Sequence, residues 1–400
     1  MSSLFEPIRF GDMQIKNRFV HSATYEAMAR ETGEVTDQLI NRYKNIAKGK
    51  AGLIIPGLMH VHSLGRGNKY ATGIHSDLMI PGLTKLTDAV HQEDGKIVFQ
   101  LVHAGRQTTK ANIGQTPLGP SSKGRDPINF VKPKEMDEDQ IQEVVRAFVS
   151  AAQRAVEAGA DGIQLHAAHG YLINQFISPF FNHRKDGWGG SDINRFRFLK
   201  EIFSAVRKAV PEGMPVLVKL STNDFTPTEG VIPSQAAKYA GWLAEMGVSG
   251  VETSCGSTLY SFMNLCRGDV PEKELVAGLP IWKRPAGKLL VSRMSGKFGF
   301  EGGYNIPAAK MIKPVIGNIP LLLVGGMRKE AEMGQALEEG YADCISMSRP
   351  FIREPFIVKK IWEGKVEQAA CRSCNRCFAA ASRDIPVKCY NSKSLPRARS

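Results

Sequence analysis

Three times along the chain an amphipathic stretch closes on Glu, meets a glycine, and restarts as a short apolar run: at Glu157, Gly159 and Gly162, at Glu245, Gly247 and Gly250, and at Glu339, Gly340 and Asp343. Each reads as a helix, a glycine stop and a buried strand. A strand entered repeatedly from a helix lies in a parallel sheet, because parallel neighbours need a crossover connection. Apolar, often β-branched runs recur at 19–23, 53–59, 97–102, 163–166, 216–220, 250–253, 321–324 and 344–347. Between them, 140–157, 193–210, 234–246 and 329–339 carry apolar residues at helical spacing. Eight such strands predict an α/β fold, a (β/α)8 TIM barrel, rather than a doubly wound sheet, whose Gly-x-Gly-x-x-Gly turn is absent. Residues 1–365 are assigned to the barrel and 366–400 to a small C-terminal cysteine-rich metal module.

Four hundred residues, 42% of them hydrophobic, are enough for a full core. No apolar run is long enough for a membrane span, and the first residues lack a signal-peptide pattern, so a cytoplasmic location is expected. The net charge of +13 is compatible with nucleic acid, a membrane surface or a phosphate-bearing cofactor. Lys and Arg are scattered, with no basic helix or aromatic-interleaved stripe expected outside 388–399, which favours anionic small molecules over nucleic acid.

Two regions break the rhythm. Residues 105–137 should form a long loop after the third strand, on the catalytic face of the barrel. Residues 256–304 are read as an excursion after the sixth strand that caps the site, the alternative being an ornamental insertion.

Chemistry in such a barrel gathers at the carboxyl ends of the strands. The fourth strand runs into His166, His169 and Tyr171, two imidazoles and a phenol able to hold and protonate a substrate; the alternative is a pair of core histidines and a packed tyrosine. The first strand ends at Ala23 and Thr24, the second at Gly57, the third at Gln100 with His103 beyond, the fifth at Lys219. Gly325 and Gly326 end the seventh, and Ser348 and Arg349 the eighth. Small residues let backbone amides approach a phosphate and Arg349 can pair with its oxygens, so a phosphorylated ligand is expected. Gln100 and Lys219 would then face a planar ring with carbonyl and imide groups, although each taken singly reads as structural.

These residues carry a resemblance. The runs Gln100 to Gln107, His166 to Leu172, Gln175 to Pro179, Trp188 to Ser191, Val324 to Arg328 and Ser346 to Phe351 resemble those of the old yellow enzyme family of flavin-dependent ene-reductases. The branch is the one that includes bacterial 2,4-dienoyl-CoA reductase and trimethylamine dehydrogenase. The resemblance implies FMN on top of the barrel, with Ala23, Thr24, Gly57, Gln100 and Lys219 around the isoalloxazine and Gly325, Gly326, Ser348 and Arg349 at its phosphate. It implies that His166 and His169 bind the carbonyl of an activated alkene and that Tyr171 is the general acid. NAD(P)H or a reduced partner would be the reductant, and the substrate a small unsaturated carbonyl compound, a CoA thioester among the candidates. Lys219 stands where arginine is common in the family, and Ser348-Arg349 where Gly-Arg or Ala-Arg is common, which leaves the redox tuning of the flavin open.

Cys371, Cys374, Cys377 and Cys389 crowd into the C-terminal segment at a spacing that suits a [4Fe-4S] cluster or tetrahedral zinc. Cys374-Asn375 resembles the cluster-binding run of the branch named above, so iron–sulfur is preferred to zinc. Four reduced structural cysteines are a third reading. With no dinucleotide-binding domain in its 400 residues, the chain is expected to use a separate electron-transfer protein, or to keep the cluster for structure. Cys255 and Cys266 sit at and after the sixth strand, and Cys255 reads as a small core residue more than as a pocket residue. A homo-oligomer is expected. The competing chemistry is oxidative, such as amine dehydrogenation, for which an aromatic cage would be expected; a zinc-stabilised binding protein on an inactive barrel would hold no flavin.

Overall fold

The computed structural model describes residues 3–279, 281–391 and 395–396. An antiparallel hairpin, β1 (Ile8–Phe10) and β2 (Met13–Ile15), precedes the barrel. The barrel strands are β3 (Phe19–His21), β4 (Leu53–Ile54), β5 (Met59–His60) and β6 (Val98–Val102). After a separate parallel pair, β7 (Leu118–Gly119) and β8 (Lys134–Glu135), follow β9 (Gly162–Ala167), β10 (Val216–Ser221), β11 (Gly250–Ser254), β12 (Leu321–Val324) and β13 (Cys344–Met347). The sheet runs β4-β3-β13-β12-β11-β10-β9-β6-β5. It closes where the Ile54 amide donates to the Lys96 carbonyl at 2.8 Å and Ile54 bridges Ile97 in parallel register. The result is an α/β barrel.

The expected second strand, 53–59, is broken into β4 and β5. Pro56 has no amide to give to a ladder and Gly57 follows it, so β4 pairs with β3 and β5 with β6 instead of one strand spanning both. The expected helices are observed as Glu138–Glu157, Asp192–Ala209, Pro233–Glu245 and Glu330–Glu338. The first starts at a capping box in which Asp137 and Gln140 satisfy each other's amides. The three glycine stops have φ of 78° at Gly159, 79° at Gly247 and 72° at Gly340, the left-handed conformation that ends a helix.

Alternation along the strands sorts the side chains. Phe19, Phe99, Leu101, Ile163, Leu165, Val218 and Ile345 point out to the helices and join the large outer core. Val20, Leu53, Val98, Leu217, Leu322 and Cys344 point inward, where Phe10, Met13 and Ile15 of the hairpin plug the amino-terminal end of the barrel. Two residues further along, the inward positions become polar at Ser22, Gln100, Lys219 and Ser346. A plugged apolar base under a polar layer leaves the carboxyl end as the place for a site.

Residues 256–304 hold the short helices Phe262–Leu265, Glu272–Ala277 and Arg284–Ser292. That last helix, between Lys283 and Arg293 and carrying Arg284 and Lys288, corrects the expectation that no basic helix lies outside the C-terminus. Much of the basic 388–399 run lies outside the described residues. Among those described, no helix is long and apolar enough to cross a membrane.

The C-terminal segment is stitched to the barrel. The Val387 amide donates to the Glu26 carbonyl at 2.8 Å, the Ala369 amide to the Arg328 carbonyl at 3.0 Å, and Arg376 pairs with Glu274 at 2.7 Å.

Candidate active site

A cavity of about 450 Å³ opens at the carboxyl ends of the strands. Ala23, Thr24, Gln100, Lys219, Gly325, Gly326, Ser348 and Arg349 all line it, together with His166, His169 and Tyr171. Gly57 does not line it. Its amide donates to Glu26 Oε1 at 2.7 Å, and a Cβ there would overlap Glu26 Oε2, so this glycine accommodates a buried carboxylate behind the cavity wall. Residues 256–304 contribute Thr258, Leu259, Leu265, Cys266 and Tyr304 to the lining, so the excursion forms part of the cavity wall. Cys255, expected in the core, is buried and does not line the cavity, whereas Cys266 is buried and reaches the lining.

The floor is a chain of side-chain hydrogen bonds. Gln100 Nε2 donates to Gln164 Oε1 at 2.6 Å, and Gln164 Nε2 to Glu252 Oε2 at 2.9 Å. Ser22 Oγ donates to Glu252 Oε1 at 2.7 Å and accepts from Lys219 Nζ at 2.8 Å, while Lys219 Nζ lies 3.1 Å from Glu252 Oε2. The Lys219 charge therefore reaches the cavity already balanced by a fully buried carboxylate, which the sequence reading did not foresee.

On one wall the rings of His166 and Tyr171 meet edge-on with centroids 4.7 Å apart, and those of His166 and His169 at 5.0 Å. His169 adopts φ 62°, uncommon for a side-chain-bearing residue, and its carbonyl accepts from Gln107 Nε2 at 2.7 Å. That conformation carries the imidazole to Ser254 Oγ at 2.6 Å. Burial holds both His166 and His169 well below the usual imidazole range, with Lys219 and, for His166, the neighbouring His169 adding to the effect. Burial pushes the Tyr171 phenol above its ordinary value. The wall thus presents two neutral imidazoles and a protonated phenol at physiological pH. The Ala168 amide donates to His166 Nδ1 at 3.3 Å, which leaves Nε2–H as the donor of that ring.

The opposite wall is backbone and cation. Gly325 and Gly326 have φ of 130° and 75°. A Cβ on Gly325 would sit 2.8 Å from the Tyr304 ring and one on Gly326 would overlap the Glu301 carbonyl oxygen, so close passage of the excursion also demands these glycines. Arg349 Nη1 donates to the Arg267 carbonyl at 2.9 Å and to Asn375 Oδ1 at 2.6 Å. Thr24 Oγ1 and Ser348 Oγ are 2.5 Å apart. Ser346 Oγ, buried in the lining, has no hydrogen-bond partner, an orphaned polar atom that a bound group would satisfy. Arg328 was not singled out from sequence, yet it lines the cavity, stacks over Phe300 at 3.7 Å and donates to Ser373 Oγ. Its position two residues after the glycine pair was the available signal.

A second, smaller cavity, about 20 Å³, is lined by Cys371, Cys374, Cys377 and Cys389 with Arg349 and Arg353. Ser373 and Asn375 take φ of 52° and 53°, which folds the intervening turns around it. Among the described residues no three His, Cys, Asp or Glu side chains converge closely enough to hold a metal ion. Cys377, whose thiol burial pushes up to about 12, lines both cavities, as do Arg349 and Ile352.

Residues 3–261 match the model of the NADH:flavin oxidoreductase / NADH oxidase family, and the chain belongs to that family. It is an FMN-dependent NAD(P)H oxidoreductase on an old yellow enzyme barrel. It is similar to 4,4'-dithiodibutanoate disulfide reductase of Rhodococcus erythropolis, 32% identical over 94% of this chain and 92% of the relative. It is also similar to NADH oxidase of Thermoanaerobacter brockii, 34% identical over 93% of this chain, which spans 53% of that protein. A solved structure of a 2-naphthoyl-CoA reductase complex superposes with a TM-score of 0.84 at 25% identity, over 97% of this chain and 56% of that one.

Proposed function

We propose that the protein reduces the carbon–carbon double bond of an α,β-unsaturated carbonyl compound at the expense of NAD(P)H. The observation that carries this reading is the wall of two neutral imidazoles with a protonated phenol 4.7 Å from the nearer one. Gln100, Lys219, Ala23 and Thr24 would hold the ring of FMN; Gly325, Gly326, Ser348 and Arg349, with Arg328 and the unpartnered Ser346 hydroxyl, would hold its phosphate end. FMN, when bound, supplies hydride to the β-carbon. His166 and His169 donate hydrogen bonds to the substrate carbonyl oxygen and stabilise the negative charge that builds there, which neutral donors do without a competing counter-ion. The Tyr171 hydroxyl delivers a proton to the α-carbon as general acid, and its raised pKa keeps that proton in place. A CoA thioester is one member of this substrate class.

The C-terminal segment would hold a metal centre through Cys371, Cys374, Cys377 and Cys389. A single zinc ion with Zn–S bonds of about 2.3 Å needs its four sulfurs converging on one point, whereas a four-iron cluster spreads its thiolates over separate corners. Cys371, Cys374, Cys377 and Cys389 line one common cavity, which either centre would require, and iron–sulfur is preferred on the Cys374-Asn375 run. Residues 1–365 would act as the flavin barrel and 366–400 as the cluster module, exchanging electrons with a partner protein past Cys377. The working form would be a cytoplasmic homo-oligomer. Oxidative chemistry on an amine is the weaker reading, since Lys219, Arg328 and Arg349 line the cavity and a cationic substrate would meet cations there.

The test is the visible spectrum of anaerobically purified protein, before and after NADPH, followed by turnover of 2-cyclohexenone. Flavin bands that bleach with NADPH and return on adding the enone support the reading. Bleaching that an enone cannot reverse would remove alkene reduction, and absence of flavin would remove the cofactor assignment.

A further inference from the structure

From 275 to 300 the chain contains no Asp or Glu but has Lys283, Arg284, Lys288, Arg293 and Lys297. The 3-10 turn Ile281–Lys283 and the helix Arg284–Ser292 stand on the body through the helix Glu272–Ala277, whose Glu274 pairs with Arg376 at 2.7 Å. Ile281 and Trp282 are each 77% exposed, Leu289 57% and Leu290 61%. Among the described residues none of the five cations forms an ion pair. Lys283 Nζ sits 4.9 Å from the rings of both Trp282 and Phe130. Phe130 is itself exposed, and Ile128, two residues before it, lines the mouth of the large cavity. The barrel chemistry uses none of these arm residues.

We propose that this arm is a docking surface for an anionic lipid bilayer. A group of exposed large apolar side chains marks an interaction site rather than ordinary surface. Apolar residues with an exposed tryptophan among unpaired cations are the pattern of a helix lying in a membrane interface, with the rings and aliphatic chains among the acyl groups and the cations on lipid phosphates. A second copy of the chain is disfavoured by symmetry, because a two-fold contact would set one unpaired cationic arm against another. An acidic protein would answer the charge but would also need a pocket for the protruding Trp282 and Ile281. Docking by this arm turns the cavity mouth toward the bilayer through Phe130 and Ile128, a route for a lipophilic substrate. The docking itself does not depend on the reaction proposed above.

The test is flotation of the flavin-loaded protein with phosphatidylcholine vesicles, with and without phosphatidylglycerol, together with tryptophan emission. Binding is expected only to the anionic vesicles, weakened by salt, with a blue shift that Trp282→Ser abolishes. Lys288→Glu with Arg293→Glu should lower the partition at least about thirtyfold, while flavin content and NADPH oxidation without vesicles stay unchanged. Failure to float with anionic vesicles at low salt overturns the proposal. So does binding that survives both the Trp282 and the charge-reversal variants. Self-association that Trp282→Ser abolishes, without vesicle binding, would reassign the arm to a second copy.

Discussion

Lys219 Nζ lies 3.1 Å from Glu252 Oε2 at the floor of the cavity, the lysine 2% and the glutamate 0% exposed. Removing one member of such a pair strands a charge in a medium that cannot solvate it. Lys219→Met should therefore lower stability by about 3 kcal/mol or more, whereas Lys219→Met with Glu252→Gln should recover most of the loss. Urea unfolding of the two variants decides this, and equal midpoints for the single variant and the parent would show that the pair is not coupled.

Tyr171→Phe removes the phenolic proton and little volume. Alkene reduction should slow by about a hundredfold or more, with the rate of flavin reduction by NADPH unchanged. Rapid mixing separates the two half-reactions; equal loss in both would take Tyr171 out of the proton-transfer role.

Gly326→Ala meets two obstacles, a φ of 75° and the carbonyl of Glu301. Gly340→Ala meets a similar φ of 72° with nothing within 4 Å. The second variant should lose only about 1 kcal/mol from the left-handed backbone. The first should also shift the excursion and release flavin, as measured by flavin per chain after gel filtration. Equal flavin retention in both would mean that the excursion yields freely.

Cys374→Ser should lose iron and acid-labile sulfide while keeping flavin. Metal analysis alone is sufficient, because unchanged iron or zinc content would remove Cys374 from the ligand set.

Acid should destabilise the fold over a defined window. Burial lowers His21, His60 and His103 each to about 3, and holds His166 and His169 well below the ordinary value. Below about pH 6.5 the unfolded chain takes up protons that these folded rings refuse, so stability is full above that pH and falls beneath it. Buried Glu26 and Asp224, whose carboxyls burial pushes up, act in the opposite sense. The five rings outnumber the two carboxyls, so the net effect is a loss of stability as pH falls through the imidazole range. Urea midpoints should be flat from pH 8 to 7 and drop sharply between about pH 6 and 5; a flat profile through that window would contradict the burial of these rings.

The alternation of helix, glycine stop and apolar run was enough to set a parallel barrel, because both periodicities are local: 3.6 residues for a helix face, two for a strand face. Strand ends follow from strand positions, so the residues that the strands bring to the cavity, from Ala23 to Arg349, were legible in advance, whereas those brought by the loops and the C-terminal segment were not. Gly57 was not, because a glycine that makes room for Glu26 and one that faces a ligand look alike along a chain. Tertiary contact alone decided that Lys219 is balanced by Glu252 and that the glycine pair is crowded by Glu301 and Tyr304. It also decided that Cys377 lies between two cavities. The sequence contains the acid-free run from 275 to 300, but only the fold shows that its tryptophan and leucines are left in water. Periodicity reports what each element turns toward the core, whereas charge pairing and crowding depend on residues far apart in the chain that meet only once the barrel has closed.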